Sequence, residues 1–147
     1  MATLAELPGL AGQRLGPTPW REMTQERVNE FADVTEDHNY IHVDPDRAKD
    51  SPFGGTIAHG YLSVALLAPI TQALLDVSDA ATAVNYGMDR LRFPAPLRVG
   101  AQFRGAAEVV EVTDIKGGMQ VKVTLTLEVR DQERPALVAD CLYRYYA

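Results

Sequence analysis

The segment EDHNYIHVD, residues 36–44, places three polar side chains that can handle protons or hydrogen bonds within six positions. Asp37 offers a carboxylate, Asn39 an amide and His42 an imidazole whose ordinary pKa lies near neutrality. A carboxylate and an imidazole that share one water can remove and return a proton, which is general acid–base catalysis. Each residue also fits a structural role, because an aspartate beside a helix end often caps it and a loop histidine often only hydrogen-bonds its surroundings.

A second segment, GGTIAHGYLS at residues 54–63, joins an irregular stretch to an apolar helical pattern. A glycine at position 60 lets a ligand approach the backbone closely. The free N–H groups at a helix N-terminus favour an oxyanion or a carbonyl oxygen. Together with the first segment, Gly60 predicts a site that polarises a carbonyl group beside a proton-handling pair. The structural alternative, a glycine that only opens a helix in a tightly packed place, remains open on these residues alone.

A metal centre is a further alternative for the first segment. Asp37, His42 and Asp44 offer the mixed oxygen and nitrogen ligands that zinc accepts. No second cluster of ligands completes a coordination sphere, and the single cysteine, Cys141, lies far away in a strand pattern. We therefore expect that the site holds no metal.

The composition is that of an ordinary globular domain of 147 residues, with 46% hydrophobic and 23% charged residues. The net charge of −6 argues against a nucleic-acid partner, which needs a basic surface. The start of the chain lacks the basic region of a signal peptide, and its longest nearly apolar run is too short to cross a bilayer. A single cysteine excludes an internal disulfide and suits a reducing compartment. We therefore expect a cytoplasmic protein that does not associate with membranes.

Helical patterns occupy the first half of the chain. Residues 1–19 are rich in glycine and proline and predict a loosely ordered lead-in, followed by one short strand near Trp20. Thr24 predicts the cap of a helix that leads up to the first polar segment. From position 58 to about position 75, apolar residues cover most of the helical circumference. This pattern predicts a long, buried helix that Pro69 bends or splits.

Alternating apolar and polar residues predict four strands in the second half of the chain, at residues 83–93, 102–112, 121–129 and 137–145. The alternation slips near Val109 and Val110, which is typical of a bulge. The short connections predict that consecutive strands are antiparallel neighbours in a meander. The fold class is therefore α+β, with a curved antiparallel sheet wrapped around the long central helix. Strand edges of this length need cover, which a two-fold partner would supply.

The two polar segments together resemble the MaoC-like, (R)-specific enoyl-CoA hydratase family of the hot-dog fold, in its NodN-like branch. The family motif runs aspartate, any residue, asparagine, proline, an apolar residue, histidine, and an alanine–histidine–glycine follows downstream. The first part is filled here by Asp37, Asn39, Ile41 and His42, and the second by Ala58, His59 and Gly60. A two-part motif with this spacing is far more specific than either segment alone.

The resemblance extends, more weakly, over residues 20–145. It implies a single hot-dog domain over residues 1–147, of which residues 1–19 form the lead-in. Two positions depart from the motif, since Glu36 stands where glycine is usual and Tyr40 stands where proline is usual. Both changes alter the backbone options of the loop, and neither removes a proton-handling group.

The resemblance implies the reversible syn addition of water to a trans-2-enoyl-CoA, which gives an (R)-3-hydroxyacyl-CoA. Asp37 and His42 would hold one water between them, with Asp37 as the base. The Gly60 N–H would bind the thioester carbonyl, and Asn39 would hold the loop or orient the aspartate. The residues assigned to substrate binding are His59, Ser63, Tyr86 and Arg92. Water addition needs no cofactor, and the implied partners are the acyl-CoA thioester and a second copy of the chain in a homodimer.

A substrate of this size also needs positive charge for its phosphates. Four arginines cluster around the DRLRFPAPLR stretch, namely Arg90, Arg92, Arg98 and Arg104. Arginine suits phosphate oxygens geometrically, and of the four we expect Arg92 to make the contact.

Other activities remain open, because a fold alone never fixes a reaction. The same fold hosts acyl-CoA thioesterases. A dehydratase that acts on carrier-protein thioesters and a non-catalytic acyl-CoA-binding protein are further alternatives.

Overall fold

Four long strands and two short ones form one antiparallel sheet in the computed structural model, which describes all 147 residues. The long strands are β3 (Thr82–Arg92), β4 (Gln102–Ile115), β5 (Gly118–Val129) and β6 (Leu137–Tyr146), and the short ones are β1 (Arg14–Leu15) and β2 (Arg21–Glu22). Their order in the sheet is β1-β4-β5-β6-β3, with β2 also paired to β4. The predicted α+β class, an antiparallel sheet packed on a central helix, is confirmed.

The strand pattern of the sequence is reproduced in the burial of the side chains. From Val121 onward in β5, and throughout β6, every second residue is buried and the residues between them are partly exposed. One face of the sheet therefore forms the core, as an alternation with a period of two predicts. The predicted bulge is also confirmed, because the register between β4 and β5 shifts between Val109 and Glu111.

The predicted meander is wrong at one point. Strand β3 pairs with β6 along its whole length, and not with β4, which follows it in the chain. The connection of residues 93–101 is no tight turn, because its backbone bonds to an earlier segment. The Ala58 N–H donates to the Leu97 carbonyl at 2.8 Å, and the Val99 N–H donates to the Thr56 carbonyl at 3.0 Å. The connection thus leads from β3, at one edge of the sheet, past β6 and β5 to β4.

Five α-helical segments precede the long strands. They are α1 (Gln25–Thr35), α2 (Tyr40–Val43), α3 (Pro45–Ala48), α4 (Gly60–Ala65) and α5 (Leu67–Leu74). The predicted cap of α1 is confirmed, because the Thr24 side chain accepts a hydrogen bond from the Arg27 N–H at 3.2 Å. None of these helices has both the length and the apolar content needed to cross a membrane.

The central helix is divided between α4 and α5, which meet at Leu66. The predicted split is confirmed, because Pro69 has no N–H to donate to the carbonyl of Ala65, four residues earlier, and Ala65 is the last residue of α4. The predicted burial on all sides is wrong for the single chain. Leu67 and Ile70 are buried, and a side chain at Gly105 of β4 would collide with Ile70. Tyr61, on another face, is 77% exposed.

The lead-in is better ordered than its composition predicts, so the expectation of a loose segment is wrong. A 3₁₀ helix runs over Leu4–Leu10, and Leu7 in its middle is fully buried. Leu4 and Leu10 also pack on the core, because residues three apart lie on one face of a 3₁₀ helix. The short strand expected near Trp20 is confirmed as β2.

Candidate active site

The loop after α1 is held in shape by Glu36 and Asn39. Glu36 ends the helix with a φ of 62°, in the left-handed region that glycine adopts without steric cost. This conformation explains why the family usually has a glycine at this position, and in this chain a glutamate adopts it. The Asn39 side chain caps α2 by accepting a hydrogen bond from the Ile41 N–H at 3.3 Å. Asn39 thus supports the turn that carries His42.

His42 is positioned as a hydrogen-bond acceptor. It is only 8% exposed, and its Nδ1–H donates to the Ile57 carbonyl at 2.8 Å. Since a carbonyl can only accept, Nδ1 carries the proton and Nε2 keeps its lone pair. Burial lowers the pKa of His42 below its ordinary value, and the nearby His59 adds to this, while the bond to Ile57 and the charge of Asp37 act in the opposite direction. The ring therefore presents a free lone pair at neutral pH.

His59 joins the polar loop to the start of the central helix. Its Nε2–H donates to the backbone carbonyl of Asp37 at 2.9 Å, and the ring is 2% exposed. The ring also stacks on His42 with 3.9 Å between centroids and meets Phe31 at 5.0 Å. Because His59 immediately precedes Gly60, these contacts hold Asp37 and His42 beside the first residue of α4.

The predicted proton-handling residues thus lie together. One side-chain ligand atom from each of Asp37, His42 and His59 can be chosen so that all lie within 4.8 Å of one another. Asp37 is exposed and both histidines are buried. This arrangement leaves a carboxylate open to a small molecule while the two rings stay fixed.

The ligand atoms of the same three residues lie close enough together to hold a metal ion, but the orientation of the two rings disfavours joint ligation. The lone pairs of an imidazole lie in the ring plane, and a zinc–nitrogen bond is about 2.0–2.1 Å long. The rings of His42 and His59 are stacked with an angle of only 28° between their planes, so the planes do not converge within one bond length. Asp44, the third ligand considered from the sequence, instead caps α3 by accepting from the Arg47 N–H at 3.0 Å.

A pocket of about 340 Å³ begins at Gly60. It lies between the segment that leads into α4 and the connection after β3, and Phe53, Ile57 and Phe93 line it. Ser63 also lines it, 3% exposed, and is the one residue of the lining with a polar side chain. A Cβ atom on Gly60 would lie 3.1 Å from Phe93 Cζ. Position 60 therefore has no room for a side chain unless Phe93 moves.

Asp37 and His42 do not line this pocket themselves. His42 is linked to the pocket by Ile57. The Ile57 carbonyl accepts the hydrogen bond from the imidazole, and Ile57 forms part of the pocket lining. The sequence did not identify Ile57 or Phe93 as residues of the site. Ile57 acts through its backbone carbonyl and Phe93 belongs to a distant connection, and neither feature leaves a sequence motif. The glycine at position 60 was the available signal of a close neighbour.

Two of the predicted substrate residues lie outside this cluster. Tyr86 is on β3, 54% exposed, with the Arg144 guanidinium 3.3 Å from the centre of its ring. Arg92, at the end of the same strand, is exposed and its Nη1 donates to the carbonyl of the neighbouring Leu91 at 2.7 Å. The single chain therefore does not bring Tyr86 or Arg92 to the pocket lining, and their assignment stays a prediction.

The chain is similar to known proteins over most of its length. Residues 7–132 match the MaoC-like domain family. The chain is 44% identical over 146 residues to 3-hydroxyacyl-thioester dehydratase Z of Mycobacterium tuberculosis, covering 99% of this chain and 97% of that protein. It is 39% identical over 142 residues to nodulation protein N of Rhizobium leguminosarum bv. viciae, covering 94% of this chain and 88% of that protein.

A solved structure shows the same fold. R-hydratase PhaJ1 of Pseudomonas aeruginosa, in its unliganded form, matches with a TM-score of 0.80 at 24% identity, over 98% of this chain and 85% of that one. The predicted hot-dog architecture and the predicted family are thus confirmed. The chain belongs to the MaoC-like domain family and is a hydratase or dehydratase of that family.

Proposed function

We propose that this protein is an (R)-specific enoyl-CoA hydratase, which adds water reversibly and with syn geometry to a trans-2-enoyl-CoA. The observation that carries the proposal is the cluster of Asp37, His42 and His59, whose ligand atoms lie within 4.8 Å of one another beside the first residue of α4. The cluster supplies an exposed carboxylate and an imidazole lone pair next to a helix that begins with an available N–H.

The first step is the activation of water. The Asp37 carboxylate accepts a proton from the water, and the oxygen forms a bond to C3 of the enoyl group. His42 Nε2, fixed as an acceptor by the bond from Nδ1 to Ile57, takes a hydrogen bond from the same water and positions it. The electron pair of the C2–C3 double bond moves toward the thioester carbonyl. The Asp37–His42 pair then returns the proton taken from the water, which reaches C2, so that H and OH of one water have been added. Positioned acid–base groups of this kind contribute about 10²–10⁴ in rate.

The second requirement is a partner for the charge that grows on the carbonyl oxygen. The Gly60 N–H is in the first turn of α4, where no helical carbonyl is available to accept it. In this proposal it donates to the thioester oxygen, while Ser63 provides the pocket's polar side chain for the substrate. His59 and Asn39 act as positioning residues, because their bonds hold the loop that carries the reacting groups.

The reverse reaction, dehydration of a 3-hydroxyacyl thioester, is a property of the same site. The similarity to a protein named 3-hydroxyacyl-thioester dehydratase favours this direction as the physiological one, with CoA or a carrier protein as the thioester partner. A thioesterase would use the same carbonyl contact but would release free thiol.

The proposed setting is a cytoplasmic homodimer. Strand β3 is at an open edge of the sheet, and the exposures of Val84 (41%) and Tyr86 (54%) show that its side chains are uncovered. The exposed face of α4 with Tyr61 also lacks cover in the single chain. Pairing of two β3 strands across a two-fold axis would give the backbone N–H and C=O groups of the edge hydrogen-bond partners and would bury these residues.

The test is consumption of crotonyl-CoA, followed by the loss of ultraviolet absorbance of its conjugated double bond, with chiral analysis of the product. We expect (R)-3-hydroxybutyryl-CoA and no release of thiol to a trapping dye. Thiol release without loss of the double bond would make the protein a thioesterase. Binding of crotonyl-CoA with neither change would make it a non-catalytic binding protein.

Variants then test the assigned groups. Asp37→Asn and His42→Ala should each lower kcat by about 10²-fold or more while the chain stays folded. The matched controls are Asp33→Asn and His38→Ala, since these exposed residues pair with each other at 2.8 Å in the same region. Normal turnover by both site variants would refute the roles given to Asp37 and His42.

A further inference from the structure

The pocket at Gly60 has an inner end and an outer end, as the burial of its lining shows. Ser63, one helical turn beyond Gly60, is 3% exposed, whereas Phe93 on the opposite wall is 48% exposed. The pocket therefore opens to solvent on the side of Phe93, next to Gly60, and the loops of residues 53–58 and 93–97 form its walls. A thioester held at Gly60 has two arms, and the arm that ends in charged groups must face solvent. The open end of this pocket suits that arm.

Arg98 lies at the surface beside the pocket. It follows Leu97, which lines the pocket, and it is exposed. Its Nη1 is 3.6 Å from the place that a Cβ on Gly54 would occupy, so the guanidinium reaches the loop that carries Phe53. The charge of Arg98 is thus held where the two pocket loops meet the surface.

The other arginines of the same stretch are engaged elsewhere. Arg90 pairs with Asp140 at 3.3 Å, and Arg104 pairs with Glu128 at 2.6 Å. Arg92 donates to the backbone carbonyl of Leu91. Arg98 forms no ion pair with any carboxylate of the chain. Arg92 also has no carboxylate partner, but its guanidinium folds back on its own strand, whereas that of Arg98 reaches the loop on the other side of the pocket.

We propose that Arg98 binds the phosphate of the substrate's phosphopantetheine arm, the group that CoA thioesters and carrier-protein thioesters share. A guanidinium matches phosphate oxygens with two parallel hydrogen bonds. The chain as a whole carries a charge of −6, so an anionic substrate needs a local cation at the pocket entrance. This inference rests on the proposed function and replaces Arg92 by Arg98 as the phosphate contact.

The experiment compares four crotonyl thioesters with the wild type and with Arg98→Ala. Crotonyl-CoA and crotonyl-4′-phosphopantetheine carry the phosphate, while crotonyl-pantetheine and crotonyl-N-acetylcysteamine lack it. We expect Arg98→Ala to lower kcat/KM about tenfold for the first two, through KM, and to leave the last two unchanged. Arg98→Lys should keep part of the effect. The control is Arg14→Ala, which removes the same charge from strand β1, at the opposite edge of the sheet from β3.

Three results would overturn the inference. Equal losses with all four thioesters would mean that Arg98 acts on the shape of the pocket. A loss with crotonyl-CoA alone would assign Arg98 to the nucleotide phosphates instead. No loss with any thioester would mean that Arg98 makes no substrate contact.

The two thioester sources are separated by an additional substrate, crotonyl-carrier protein. A wild-type preference for crotonyl-CoA or for the carrier-protein thioester identifies the source, and the loss in Arg98→Ala is expected with both. If the wild type consumes none of the thioesters, the proposed function fails. The inference is then decided by calorimetric titration with CoA, where binding that Arg98→Ala weakens supports it and absence of binding overturns it.

Discussion

Replacement of Gly60 by alanine tests the geometry of the site most directly, because it adds one methyl group and keeps the backbone N–H. The new Cβ would lie 3.1 Å from Phe93 Cζ and 3.3 Å from both Cε atoms. Carbon atoms in favourable contact are about 3.5–4.0 Å apart. The ring must therefore withdraw by a few tenths of an ångström, and it lines the pocket that the substrate is proposed to enter.

The expected change in stability is small. Overpacking of a rigid core costs about 1–3 kcal/mol, but Phe93 is 48% exposed and can turn toward solvent. Alanine is also the better helix former than glycine, by up to about 1 kcal/mol. We therefore expect the free energy of unfolding of Gly60→Ala to stay within about 1 kcal/mol of the wild type. Urea unfolding measures this difference.

The expected change in activity is large. The methyl group and the displaced ring narrow the approach to the Gly60 N–H, so the thioester oxygen is held away from its donor. Loss of one oxyanion donor costs about 2.7–4 kcal/mol in other enzymes, which corresponds to roughly 10²–10³ in kcat. The assay is the loss of crotonyl-CoA absorbance. The matched control is Gly9→Ala, because a Cβ at Gly9 would meet no atom within 4 Å.

The double variant Gly60→Ala/Phe93→Ala separates the two causes. If the methyl group itself shields the N–H, activity stays low in the double variant, whereas full recovery would show that the displaced ring alone blocks the pocket. Wild-type kcat/KM in Gly60→Ala would refute the reasoning, since it would mean that neither the amide nor Phe93 lies near the reacting carbonyl.

Three further predictions concern His42, Asn39 and β3. Burial lowers the pKa of His42 in the folded chain. As the pH falls below about 6.5, the unfolded chain binds a proton at this residue before the folded chain does, so the free energy of unfolding should decrease. His42→Asn should lack this part of the slope in urea titrations at pH 7.5 and 5.5, and an equal slope would contradict the assignment. Asn39→Ala should lower the free energy of unfolding by about 1 kcal/mol, because the cap of α2 is lost, and should lower kcat more than it raises KM. Asn39→Asp should keep the stability and the kcat of the wild type. Calorimetric melting and steady-state kinetics measure these effects. Val84→Lys on the open strand should give a monomer by size-exclusion chromatography with light scattering, and a wild-type protein that is itself monomeric at micromolar concentration would end the dimer proposal.

The elements predicted correctly are those whose cause is local in the sequence. The period of two in residues 121–129 matches β5, because one face of the strand is buried over these residues. Thr24 caps α1 through an atom three residues away. The bulge in β4 was visible as a slip in the alternation. In each case the pattern and its structural cause lie within one element.

The errors concern contacts between distant segments. Strand β3 pairs with β6 because the connection of residues 93–101 bonds to residues 56–58. The local sequence pattern of neither segment predicts this pairing. The central helix was predicted to be buried nearly all round, yet Tyr61 is exposed. An apolar pattern indicates that a helix is covered, and it does not show whether the same chain or a second copy covers it.

The candidate site contains both kinds of information. Asp37 and His42 were recognisable because they are five residues apart and their chemistry is evident from residue type alone. Their position relative to Gly60 depends on His59, whose ring bonds to the Asp37 carbonyl across 22 residues and stacks on His42. The resemblance assigns His59 to substrate binding, whereas its contacts are those of a residue that sets the distance between two segments of the site. The same logic applies to the roles proposed for Phe93, which lines the pocket at Gly60, and for Arg98, which belongs to the same connection. Substrate selection in this protein should therefore be governed by the connection of residues 93–101, while the proton chemistry is governed by the loop of residues 36–44.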